Sequence, residues 1–106
     1  MDIQKGVIGF TFLARMTSSG SPIDISDASI MEIHLRCRGG IEKVFDAEFE
    51  TDGTDGRLRY ITEDATDLDT QGEWKAQPYI ETLYGAFKGF GSKATFRVLD
   101  NLPDSF

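Results

Sequence analysis

The chain has 106 residues, with eight Phe, three Tyr and one Trp, enough large apolar side chains for one modest core and one domain. Its net charge is −7 and its eleven Lys and Arg are scattered, which excludes a general nucleic-acid binder and disfavours anionic membranes, since both need clustered cations. No run approaches the ~20 apolar residues that span a bilayer, and the one cysteine, Cys37, leaves the fold to be held by its core without an internal disulfide.

The N-terminal residues Met1-Asp2-Ile3-Gln4-Lys5 have no basic stretch leading into an apolar one, so no secretory signal is expected. Met1 is expected to open a complete small reading frame, and a single thiol fits synthesis in a reducing cytoplasm.

From there the apolar residues recur at every second position, the pattern of half-buried strands. Ile8, Phe10, Phe12, Ala14 and Met16 share one parity, Ile3 and Val7 the other, and Gly6 and Gly9 mark a bulge or bend between them. Thr17-Ser18-Ser19-Gly20-Ser21-Pro22 is a turn, followed by a short extended bridge over Ile23-Asp24-Ile25. Met31, Ile33, Leu35 and Cys37 alternate with Glu32, His34, Arg36 and Arg38, giving the cleanest strand, and Gly39-Gly40 turns the chain.

Phe45, Ala47 and Phe49 predict the next strand. It ends at Thr51-Asp52-Gly53-Thr54-Asp55-Gly56, a turn with two Asp-Gly pairs. Leu58 and Tyr60 alternate with Arg57 and Arg59. Residues Glu63 to Gln71 are polar and predict a loop or a single helical turn around Leu68. Trp74, Ala76, Pro78, Ile80 and Tyr84 share a parity, and Pro78, lacking an N–H, predicts an edge or a bend. Gly85 to Gly91 reads as a hairpin tip or bulged strand start, Ala94, Phe96 and Val98 as the last strand, and residues 100–106 as a loose tail.

Turns at this spacing, with no convincing helical stripe, predict an all-β antiparallel sandwich of about seven strands in a single domain. The segment Asp67-Leu68-Asp69-Thr70-Gln71-Gly72-Glu73-Trp74-Lys75-Ala76 adds detail. Leu68 is placed to plug the end of the core. Asp67 or Asp69 is placed to accept turn N–H groups, Gly72 to adopt a conformation barred to residues with a Cβ, and Trp74 to fill the space between sheets.

This segment resembles the corner of immunoglobulin-like domains. Three further features precede it in order: the Lys5-Gly6-Val7-Ile8-Gly9-Phe10-Thr11-Phe12 start, Gly20-Ser21-Pro22-Ile23-Asp24-Ile25, and Gly56-Arg57-Leu58-Arg59-Tyr60. Together they resemble the immunoglobulin-like domain at the N-terminus of phage upper-baseplate proteins and related tail and virion proteins, over roughly residues 3 to 99. The resemblance implies an immunoglobulin-like sandwich acting as a virion structural part (tail, baseplate, neck or head decoration). It would be assembled in the host cytoplasm, self-associate in a symmetric assembly and dock to other virion proteins. In that family the domain usually heads a longer chain, and the Gly85 to Gly91 segment here is richer in aromatics and glycine than a short hairpin requires.

The residues offer little for catalysis. His34 is the sole histidine, so a multi-histidine metal site has no parts and no nucleophile–base pair stands out, and it reads as a solvated residue on a polar strand face or a pH-sensitive contact. Cys37 reads as a buried core thiol. Asp52, Asp55, Asp64, Asp67 and Asp69 invite a calcium loop, but counting Asp52 as position 1 and Glu63 as position 12 puts Arg57 where an EF-hand needs glycine. Turn formation and surface charge are their default roles, with a loop-built calcium site as the alternative, and a solvated sheet face is the default for Asp46, Glu48 and Glu50. No enzyme, cofactor or metal is expected. Tyr84, Phe87 and Phe90, set among glycines at a sheet end, are the candidate partner-binding residues. Their alternatives are return to the core or stacking on sugar rings, the latter making the chain a carbohydrate- or host-surface-binding module.

Overall fold

The computed structural model describes residues 2–82 and 88–100. Its strands, in chain order, are β1 (Asp2–Gln4), β2 (Thr11–Arg15), β3 (Thr17–Ser18), β4 (Ser21–Pro22), β5 (Ala28–Cys37), β6 (Glu42–Asp46), β7 (Glu48–Phe49), β8 (Arg57–Ile61), β9 (Gly72–Thr82), β10 (Lys88–Phe90) and β11 (Ala94–Leu99). A six-stranded sheet runs β1-β11-β9-β5-β6 with β10 also on β9. A three-stranded sheet runs β2-β8-β7, and β3-β4 is a small separate hairpin. All pairings are antiparallel except β1 with β11.

The core lies between the two sheets. The large sheet contributes Ile33, Leu35 and Cys37 from β5, Trp74 and Ile80 from β9, and Phe96 and Val98 from β11. The small sheet contributes Phe12 and Leu58, and the loops add Met16, Ile25 and Leu68. Each strand's set sits at period two, so one pleat face is buried and the other solvated, as the alternation requires. The architecture is the all-β sandwich the alternation predicts.

The strands number eleven among the described residues, against about seven expected, because several segments expected to be continuous change sheets. Phe45-Ala47-Phe49 is one such segment. β6 lies in the large sheet and β7 in the small one, and the chain crosses at Ala47, whose N–H donates to the Met31 carbonyl (2.9 Å). The first segment is another. β1 belongs to the large sheet, and the chain passes to β2 through Gly6 (φ 80°) and Gly9 (φ 85°), both left-handed. Ile8, placed by its parity with the core, stands 62% exposed in that crossing.

Of the edge or bend expected at Pro78, the edge does not hold for the strand as a whole. β9 is the central strand, flanked by β5 along one side and by β11 and then β10 along the other. β11 pairs with residues up to Ala76 and β10 from Tyr79 onward, so Pro78 sits at the junction between them. Its carbonyl accepts the Gly91 N–H there (2.9 Å). The N–H and C=O of a strand residue point to the same side, so the missing donor faces a gap where no ladder partner needs it.

The turns follow their residues. Ser19 (φ 51°) and Gly20 (φ 82°) are both left-handed and close the β3–β4 hairpin, the two-residue geometry that suits the right-handed strand twist. Glu63 to Gln71 contains turns and no helix. Ile23-Asp24-Ile25 forms no strand, but Ile25 is fully buried and its N–H donates to the Gly53 carbonyl (2.8 Å).

Candidate functional site

Two places gather the side chains singled out by the sequence: the corner leading into β9 and the outward face of the large sheet. At the corner, Asp67 Oδ2 accepts hydrogen bonds from the Tyr60 hydroxyl (2.6 Å), the Glu63 N–H (3.0 Å) and the Asp64 N–H (3.3 Å). Burial raises the pKa of this carboxyl, and the three hydrogen bonds outweigh it, so the group is held below its ordinary value. Leu68 and Trp74 are fully buried. The Trp74 indole donates to the Thr70 carbonyl (2.9 Å) and its ring stacks on Phe96 at 6.3 Å. Gly72 has φ 133°, with the Cys37 sulfur 3.8 Å from where a Cβ would stand. Asp69 meets Lys43 Nζ at 3.2 Å, while the same ammonium also donates to the Thr66 carbonyl. The corner's polar groups are engaged with one another, an arrangement that fixes a loop.

The other aspartates behave similarly. Asp52 accepts from the Thr54 N–H and hydroxyl, Asp55 from the Arg57 N–H and the Thr51 hydroxyl, and Asp64 from the Thr66 N–H and hydroxyl. These are side-chain-capped turns. Among the described residues, no three His, Cys, Asp or Glu side chains converge as a metal site would need. Cys37 is buried on the core face of β5.

The outward face of the large sheet is different. Phe90 is 52% exposed. Its ring lies 4.7 Å from Tyr79, the residue opposite it on β9, and 5.2 Å edge-on from His34 on β5. His34 and Tyr79 are 5.8 Å apart, so three strands supply one aromatic cluster. Its polar tips are tied down. His34 Nε2 lies 3.1 Å from Glu32 Oε1, and the Tyr79 hydroxyl donates to Glu81 (2.8 Å). The bond to Glu81 and the carboxylate's charge keep the phenol protonated beyond its usual range. Gln77 donates to the Gly91 carbonyl (2.9 Å), fixing the start of the segment after β10.

Beside the cluster runs an open groove of about 750 Å³, lined by His34, Arg36, Arg38, Val44, Lys75, Gln77, Phe90 and Lys93, with Glu42 and Glu73 on its walls. Val44 is 51% exposed. The groove collects five of the cations of a chain whose net charge is −7, Lys43 among them. It offers two exposed apolar side chains within a rim of both charges, the composition of a protein-docking patch.

Of the candidate partner-binding residues, Phe90 lies on this face, while Tyr84 and Phe87 lie outside the described residues. Sequence reasoning placed His34 on the polar face of its strand but missed its packing with Tyr79 and Phe90, and it missed Val44. The available signal was the second parity of β9, where Gln77, Tyr79 and Glu81 interleave with the core set.

The fold is similar to the N-terminal domain of phage TP901-1 ORF48. The TM-score is 0.60, at 16% identity, over 95% of this chain and 83% of that one. At that identity the likeness is one of fold. No family model and no curated protein matches the chain.

Proposed function

We propose that the chain is a non-catalytic structural protein of a phage virion that docks to other virion proteins through the outward face of its large sheet and repeats within a symmetric assembly. The observation that carries this reading is Phe90, half exposed and braced by Tyr79 and His34 above a groove rimmed by charge. An aromatic side chain held rigid before binding loses little conformational freedom on docking and is the usual anchor of an interface. The likeness to a phage protein domain supports placing this docking in a virion, and the aspartates engaged in turns favour a structural role over turnover.

The test is incorporation. The gene is replaced in its phage by versions encoding wild type, Phe90→Ala and Val44→Glu, and purified virions are assayed for the chain by mass spectrometry. Wild type present at stoichiometric level, with both variants strongly reduced although folded, supports the reading. A wild-type chain absent from virions removes it.

A second reading rests on the same cluster. The exposed Phe90 ring, with half-buried Tyr79 and His34 and with Gln77, Glu32 and Arg36 nearby, also suits a sugar, whose C–H face stacks on rings while its hydroxyls bond planar polar groups. Binding on a glycan array that is lost in Phe90→Ala favours this module, and a flat array removes it.

A further inference from the structure

β2 is one of the two outer strands of the small sheet, and the register defines what its free edge presents. The Met16 N–H donates to the Gly56 carbonyl (2.7 Å), and the Thr62 N–H donates to the Phe10 carbonyl (2.9 Å). Between these ends Phe12 stands opposite Tyr60 and Ala14 opposite Leu58. Bonded pairs alternate along an antiparallel ladder, so the even residues of β2 are the ones bonded to β8. β8 agrees, since its odd residue Arg57 accepts the Glu50 N–H from the opposite side (3.4 Å).

The N–H and C=O groups of Thr11, Leu13 and Arg15 therefore point away from β8, toward an edge where no strand of the described residues sits. Their side chains are exposed as well, Leu13 at 57%. The strand contains no proline. An edge of this kind is a template for another strand.

The edge is self-complementary. A two-fold antiparallel pair that uses the outward amides must match odd residues with odd ones. Centred on Leu13, it sets Leu13 against Leu13 of a second copy and Arg15 against Thr11 at both ends, so all three residues bond. A shift of two residues one way leaves Thr11 outside the pair. A further shift sets arginine against arginine, and like charges directly opposite are destabilising. The other way, Arg15 falls opposite Gly9, whose N–H is already committed to the Thr62 carbonyl (2.8 Å).

We infer that β2 pairs antiparallel with β2 of a second copy, centred on Leu13, joining the two three-stranded sheets into one. This names a surface for the self-association in the proposed function and rests on that reading.

The experiment measures sedimentation equilibrium across a concentration series, together with amide hydrogen exchange, for wild type, Leu13→Pro and Leu13→Lys. The Leu13 N–H is unused within its own sheet, so proline there leaves the ladder to β8 whole. Wild type is expected to dimerise with concentration while the Thr11, Leu13 and Arg15 amides slow by roughly tenfold or more. Both variants are expected to stay monomeric and to melt within a few degrees of wild type. Should Leu13→Pro fail to fold, Leu13→Lys and the wild-type amides decide the matter alone. A wild type that stays monomeric at every concentration overturns the inference. So does a dimer in which those three amides exchange as freely as in the monomer, because another surface then holds it. A monomer that is nonetheless incorporated into virions sinks this pairing and leaves the proposed role standing. A β2-paired dimer absent from virions does the reverse.

Discussion

Phe45 and Tyr60 stack face to face, ring centroids 4.4 Å apart and planes 3° from parallel, although one strand belongs to the large sheet and the other to the small. The stack lies where the chain crosses between the sheets, just before Ala47. The hydroxyl of the same tyrosine donates to Asp67. Tyr60 thus ties both layers to the loop that leads into the central strand.

Tyr60→Phe keeps the stack and removes the donor to a buried carboxylate. A hydrogen bond to a charged group contributes about 1.5–3 kcal/mol. Two backbone N–H groups still serve Asp67, so a loss at the lower end of that range is expected. Urea denaturation monitored by tryptophan fluorescence measures it. An unchanged midpoint would show that Asp67 finds an equal partner in solvent.

Acid should weaken the fold through Asp67. Its carboxyl is held below its ordinary value in the folded state, so the stability it contributes is present above the unfolded value of ~3.9 and is lost as the pH falls through the folded value. Calorimetry is expected to show a melting temperature that falls below about pH 4, less steeply in Asp67→Asn. The alkaline limb has the opposite sign. Burial first, and then Asp67, keep the Tyr60 phenol protonated well above its usual range, so stability declines as the pH rises past the unfolded value of ~10, and Tyr60→Phe lessens that decline, leaving the share of Tyr79.

Gly56 has φ 75°, and a Cβ there would stand 2.5 Å from the Met16 carbonyl and 2.9 Å from that of Ile23, both backbone atoms. Gly56→Ala is expected to cost roughly 2–3 kcal/mol. Gly20, at φ 82°, has nothing within 4 Å of its Cβ position, so Gly20→Ala carries only the left-handed penalty of about 1 kcal/mol. Equal losses in paired thermal melts would refute the steric explanation.

Trp74 and Phe90 should separate stability from docking. Trp74 is fully buried, and its truncation to alanine is expected to cost about 3–5 kcal/mol. Phe90→Ala removes a half-exposed ring and should shift stability by less than about 1 kcal/mol while abolishing partner binding. Chemical denaturation measures the first pair of values. A large loss for Phe90→Ala would make that ring a structural brace.

The layers were legible because β5, β8, β9 and β11 carry their core residues at strict period two. The crossings were not. Phe45, Ala47 and Phe49 keep an unbroken alternation while the chain leaves one sheet for the other, and nothing local marks Ala47 as the corner. Ile8 shares the parity of Phe12, yet the left-handed glycines on either side of it turn it outward. Pro78 pointed to an edge because the rule treats a strand as having one neighbour per side, whereas here two strands share one side of β9. The aromatic cluster combines residue 34 with residues 79 and 90, and only the pairing register brings them together. Phe90 was visible as a candidate, and its supports His34 and Tyr79 were not.

Photo-crosslinking from the outward face of the large sheet asks whether that face is the docking surface. A benzophenone amino acid is placed at position 90, and in a parallel chain at exposed position 13, during assembly of the phage. Position 90 is expected to crosslink to one discrete virion protein other than the chain itself. Assembled virions in which position 90 yields no crosslink, while position 13 captures that protein, would contradict it.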